Sequence, residues 1–159
     1  MKLAHIGFLF KDINQGINYW SKNKFDFEQK FMNKINKRII LNKSHKNNNS
    51  PVKIIIKPTV DKKLKVTCCL IKIKKDFLIE IIQPHKNNVI LKKKIENRNY
   101  TFGSIDHLCF FSNNIDKDIK FMTNNLNARL VVKKTYAKLF KKNICFLVVK
   151  SLLIELLEV

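Results

Sequence analysis

Apolar residues along this chain fall into short runs rich in Ile, Leu, Val and Phe, separated by polar stretches. Runs of that length and composition predict strands, whose successive side chains alternate between the two faces of a sheet. Residues 5–13 read HIGFLFKDI and residues 107–115 read HLCFFSNNI. Both give His, two apolar or small residues, Phe, three variable positions, Asp or Asn, and Ile. Each leads into an amphipathic stretch that predicts a helix, NQGINYWSKN in one case and DKDIKFMTNNL in the other. Asp12 and Asn114 suit the N-cap positions, where a side-chain oxygen accepts from the amides of the first turn.

The later strands repeat as well. CLIKIKKDFLIEII at 69–82 resembles CFLVVKSLLIELL at 145–157, each reading as two strands joined by a tight basic turn. Each half of the chain therefore runs strand with His, helix, further strands, and a last strand with Glu, which points to a tandem duplication. The halves differ in length: His5 to Glu80 spans 75 positions, His107 to Glu155 only 48. The excess is placed around 30–62, which holds the Asn/Lys-rich loop NKSHKNNNSP and the strand-like VKIIIK at 52–57. The expected organisation is a first module over 1–85, a connection with a short basic helix over 86–103, and a second module over 104–159. The fold class is α+β, two βαβββ modules whose sheets pair around a central cleft.

Glu80 and Glu155 each stand in the middle of an apolar run. Strand alternation puts Glu80 on one face with Leu78 and Ile82, and Glu155 on the equivalent face with Leu153 and Leu157. An isolated ionised carboxylate there costs on the order of several kcal/mol without a compensating partner. One such Glu reads as a solvated strand face or a Lys-paired acid. Two in matching contexts, beside two matching histidines, read differently. His5 shares its strand face with Leu3, Gly7 and Leu9, and His107 with Ile105, Cys109 and Phe111. Pairing of equivalent strands can bring His5, Glu80, His107 and Glu155 to one point, as ligands for a divalent transition metal: Zn, Ni, Co, Mn or Fe. His45 and His85 lie in polar, loop-like contexts without repeat partners and read as surface residues; Glu158 reads as solvated.

Composition alters this picture little. The 159 residues suit one compact domain or two small halves sharing a core. The net charge of +20 invites a nucleic-acid reading, but only Arg38, Arg98 and Arg129 among 32 basic residues are arginines. The lysines are scattered through every segment, and Lys, Asn and Ile are abundant together, as A/T-rich codons would make them. No specific nucleic-acid partner is expected, although the charge would steer anionic small molecules toward a cleft. With 3 Gly and 3 Pro, turns must be built from Asn, Asp, Lys and Ser. Cys68, Cys69, Cys109 and Cys145 lie in apolar runs without CxxC spacing and are expected as buried free thiols. Neither a signal peptide nor a membrane span is expected, and the expected location is cytoplasmic.

The motifs LAHIGFLFKDINQGINYW, FLIEIIQP, SIDHLCFFSNNIDKDIKF and NICFLVVKSLLIELLEV, in that order, resemble the vicinal oxygen chelate superfamily, the group of glyoxalase and methylmalonyl-CoA epimerase. The resemblance covers nearly the whole chain apart from 30–62. It implies a glyoxalase-like fold and a metal site made by His5, Glu80, His107 and Glu155. The implied activity is that of a lyase, isomerase or epimerase moving a proton beside a carbonyl through a metal-stabilised enolate or enediolate. Glu155 is the first candidate for the base and Glu80 the second. Epimerases of the family often have Gln at the second ligand position, so Glu80 leans toward glyoxalase-like lyases. The implied substrate is a small anionic acyl thioester or carbonyl compound, with a homodimer the preferred assembly. The alternatives are a non-catalytic binding or sequestration protein on the same fold and, more remotely, a basic nucleic-acid binder.

Overall fold

A computed structural model describes residues 1–22, 53–74, 77–96 and 103–159. The loop NKSHKNNNSP and His45 lie outside the described residues. Among the described residues, eight strands and three helices follow in the order β1 (Leu3–Leu9), α1 (Ile13–Lys22), β2 (Lys53–Asp61), β3 (Val66–Lys74), β4 (Phe77–Pro84), α2 (Val89–Glu96), β5 (Ser104–Ser112), α3 (Ile115–Leu126), β6 (Arg129–Ala137), β7 (Lys142–Val149) and β8 (Leu152–Glu158). The strand β2 falls within the span to which the sequence assigned the extra length of the first half. It pairs with β3 as β6 pairs with β7, so it is the counterpart of β6.

The strands form one curled mixed sheet in the order β2-β3-β4-β1-β5-β8-β7-β6. Within each βαβββ unit the first strand runs parallel to the last, β1 beside β4 and β5 beside β8. The units join along the antiparallel pair β1–β5, whose register sets His5 opposite Cys109, Ile6 opposite Leu108 and Gly7 opposite His107. A pseudo-two-fold axis therefore passes through the Ile6–Leu108 pair. On either side, the parallel neighbours continue the register, with Gly7 beside Glu80 and Cys109 beside Glu155.

Helix α3 begins where the sequence predicted, with the Asn114 side chain accepting from the Lys117 amide and two acids in its first turn. Asp12 accepts likewise from the Gln15 amide at the start of α1. Gly is scarce, and Lys65, Asn127, Lys141 and Lys150 take up left-handed backbone at turns and a helix end. Such a conformation costs a non-glycine residue roughly 1–2 kcal/mol, which the flanking strand ladders offset.

Alternation along the strands divides the apolar residues into two layers. On one face, α1 packs against Ile71, Ile79 and Ile81, and α3 against Cys145, Leu147, Ile154 and Leu156. The other face carries Leu9, Val66, Cys68 and Ile82 beside Ala4, Cys109, Ile144 and Leu157. Over this second face fold α2, through half-buried Leu91 and Ile95, and the β6–β7 turn, through Leu139 and Phe140. The β2–β3 and β6–β7 turns meet there: Asp61 accepts from the backbone amides of Lys63 and Leu64 in its own turn and of Lys138 across the axis. Among the described residues no helix is long and apolar enough to cross a membrane.

Candidate metal centre

The register of β4-β1-β5-β8 places four polar side chains on the face of the central strands opposite α1 and α3. Glu80 and His107 flank Gly7 in one row; His5 and Glu155 flank Cys109 in the next. All four side chains are buried, Glu155 and His107 at 1% exposure. The two Nε2 atoms lie 3.2 Å apart. His5 Nε2 is 3.2 Å from Glu80 Oε2 and 3.1 Å from Glu155 Oε2, and His107 Nε2 is 3.3 and 3.0 Å from the same oxygens.

These spacings fit a divalent ion. Four donors set about 2.0–2.1 Å from a tetrahedral centre are separated by about 3.3–3.4 Å. Among the described residues the enclosed Oε2 of Glu155 has no hydrogen bond of acceptable angle, so a buried acceptor is aimed at the point the four groups share. Two imidazoles and two carboxylates also form a donor set suited to first-row transition metals. The cluster therefore has the residues and the spacing to hold a metal ion.

The four groups also hold one another through charge. Burial opposes the imidazolium of His5, but the negative charges of Glu155 and Glu80 within 3.1 and 3.2 Å of it outweigh that and raise its pKa. The same contest, with Glu155 and Asp106 as the main opponents of burial, raises His107 well above the ordinary imidazole value. Burial pushes Glu155 up, and His107 followed by His5 pulls it down further, to about 2. Glu80 is likewise lowered, with the two histidines prevailing over burial.

The backbone makes room for this crowding at Gly7. A Cβ there would clash with Cε1 of His107 and sit 2.6 Å from its Nδ1. The His107 ring thus lies over a residue that must lack a side chain. His5, across the axis, stacks on Phe140 of the β6–β7 turn at 5.1 Å between ring centroids. His107 makes an edge contact with Phe146 at 5.4 Å.

Glu80, His107 and Glu155 line a cavity of about 550 Å³. Its walls are mostly apolar, including Ile82, Leu91, Val132, Phe146 and Leu153, and its cationic lining residues are Lys94 and Arg129. The sequence-predicted quartet is thus brought together. His85 stands apart, bonded to Thr67 at 3.0 Å. Glu158, expected to be solvated, keeps a partly exposed side chain, bonded to Lys134 at 2.6 Å and Asn143 at 2.7 Å. Sequence reasoning missed Gly7, Phe140, Asp106 and Lys94 as parts of the site. Asp106 and Gly7 were available as neighbours of the histidines in sequence, whereas Phe140 and Lys94 arrive from distant segments.

The sheet and its register are those of a glyoxalase-like fold. Among solved structures, the chain is similar over 99% of its length to methylmalonyl-CoA epimerase from Mycobacterium tuberculosis, at a TM-score of 0.65, 15% identity and 87% coverage of that protein. It is similar to a selenomethionine form of methylmalonyl-CoA epimerase, at 0.65, 12% identity and 99% and 94% coverage of the two chains. A hypothetical protein from Bacillus halodurans C-125 aligns at 0.68 with 15% identity, covering 99% of this chain and 94% of that one. No family model matches the sequence, and no curated protein matches it.

Proposed function

We propose that this protein is a metal-dependent enzyme of the lyase, isomerase or epimerase type that moves a proton beside a carbonyl. The observation that carries the reading is the convergence of His5, Glu80, His107 and Glu155 at mutual spacings suited to one ion. A divalent ion held there supplies Lewis-acid stabilisation of negative charge developing on a substrate oxygen. Zn, Ni, Co, Mn and Fe all suit the donor set.

The protein's own groups would do the rest. Glu155 is the first candidate to take the proton from the substrate carbon and return it, and Glu80 the second, since both carboxylates face the cavity. The apolar walls exclude water from the reacting carbon. Arg129 on the lining, in a chain of net charge +20, favours an anionic carbonyl compound, of which an acyl thioester is one class. The neighbouring epimerase folds are named for an acyl-CoA substrate, which supports the same class.

Elemental mass spectrometry on protein purified without chelator tests the first half of this reading. About one transition-metal ion per chain is expected, lost in a His5→Ala, His107→Ala double variant. Deuterium uptake beside the carbonyl of a panel of acyl thioesters in D2O, followed by NMR, tests the second half. Exchange that requires the ion supports the enzyme. The predominantly apolar cavity also favours a second reading, a small-molecule binding protein, which predicts ligand binding that survives metal removal and no exchange.

A further inference from the structure

The pairing of β1 with β5 slips by one residue beside the site. Gly7 is opposite His107 and Phe8 is opposite Ile105, so Asp106 has no partner and forms a β-bulge. A bulge re-aims side chains that strict alternation would send to opposite faces. Here it turns the Asp106 carboxylate to the His107 ring, with Oδ2 3.2 Å from Nδ1. The other oxygen, Oδ1, accepts from Lys94 Nζ at 2.8 Å. The Asp106 side chain is 6% exposed and that of Lys94 is 39% exposed, so the pair spans from the buried ring to the cavity wall.

We propose that Lys94 and Asp106 form a positioning device for His107, in which the helix α2 between the two units is a working part of the metal site. The inference rests on the metal-site reading. A carboxylate that accepts from Nδ1–H fixes the imidazole tautomer that leaves the Nε2 lone pair free for a metal, locks the ring plane and raises the basicity of Nε2. Lys94 offsets the buried charge of Asp106, so the site gains an orienting acceptor without adding net negative charge to that of Glu80 and Glu155. The first unit has the same slip, with Leu3 opposite Phe110 and His5 opposite Cys109, but its extra residue is Ala4. The device therefore serves one histidine of the pair.

The test is zinc affinity, measured by competition with a chromophoric chelator on the full chain, for the wild type and for Asp106→Ala, Asp106→Asn, Lys94→Met and Lys94→Arg. Loss of such an outer partner typically weakens metal binding about 10–100-fold, and Asp106→Ala is expected in that range. Asp106→Asn, which keeps an oxygen acceptor, falls between it and the wild type. Lys94→Met weakens binding less than Asp106→Ala, and Lys94→Arg restores it. In the zinc-loaded wild type, an exchange-protected Nδ1–H resonance of His107 is expected by NMR, absent in Asp106→Ala, which a purely structural role for Asp106 would not require. If Asp106→Ala does not fold, Asp106→Asn decides by the same two readouts. Wild-type zinc affinity and an unchanged Nδ1–H signal in the Asp106 variants would overturn the proposal. A wild type that takes up no zinc would instead overturn the metal-site reading beneath it.

Discussion

Residues Ala4 and Asp106 occupy the same place in the two halves. Each is the unpaired residue of a β-bulge directly before a histidine, and the register around the two is symmetric about the Ile6–Leu108 pair. The backbone has been kept and the chemistry has not. His107 is held by a carboxylate on one side and lies over Gly7, whereas His5 faces Cys109 and stacks on Phe140. The two units thus deliver two equivalent His–Glu pairs, while the groups that aim the rings differ between halves. Positional symmetry fixes where a side chain stands, and the surroundings decide how firmly it is held.

The sharpest way to break the symmetry is at the carboxylates. Glu155→Gln is expected to slow proton exchange beside the carbonyl by about 10²–10⁴-fold, the usual contribution of a general base, and Glu80→Gln by clearly less. Equal losses in NMR exchange rates, after both variants are saturated with metal, would remove the distinction between the two acids.

Gly7→Ala comes next. The new Cβ must displace His107, and overpacking of this kind costs about 1–3 kcal/mol of stability. Zinc binding should weaken in the same variant, while Cys109→Ala at the mirrored position leaves both thermal unfolding and zinc affinity near wild type. Phe140→Ala removes the stacking partner of His5 and, since Phe140 is partly buried, should lower stability by less than the roughly 3–5 kcal/mol of a core Phe, with a smaller change in zinc affinity than Asp106→Ala. The opposite ordering in paired melting and titration experiments would show that both rings are held in the same way.

The mildest probe is pH. In the metal-free protein, His5 and His107 have raised pKa values. Their contribution to stability is full below the unfolded value of about 6.5 and is lost as pH rises through the folded values. The lowered carboxylates act at the other end, contributing above their ordinary range and losing that contribution as pH falls through the folded values, about 2 for Glu155. Melting temperature without metal should therefore decline above about pH 6.5. With zinc the trend reverses, because the ion needs neutral imidazoles and displaces their protons. Melting curves across pH with and without zinc would reveal a common slope if the cluster does not bind the ion.

The repeat made much of this legible in the sequence. His5 with His107, and Glu80 with Glu155, could be matched because strand alternation fixes a face and a duplicated motif fixes a position. The bulges could not be read, since LAHIG and IDHLC look like plain alternating strands and the slip exists only once β1 meets β5. The need for Gly at position 7 appears only when the His107 ring is set against it. Lys94 and Phe140 reach the site through a connecting helix and a turn whose placement depends on the curl of the whole sheet, a long-range property that local patterns do not encode. The strand β2 was assigned to the extra length of the first half because the distance from α1 hid its kinship with β6.

The seam between β1 and β5 has a mechanical consequence. Each half brings one imidazole and one carboxylate, so neither could coordinate an ion fully by itself, and an ion held by all four would act as a rivet across the join. Its affinity would then be set partly by how firmly the two halves are already clamped, through the ladder of the seam and the grip of Asp61 on the Lys138 amide. Loosening that distant grip would enlarge the gap the rivet must span, so a change far from any ligand would be felt as weaker loading.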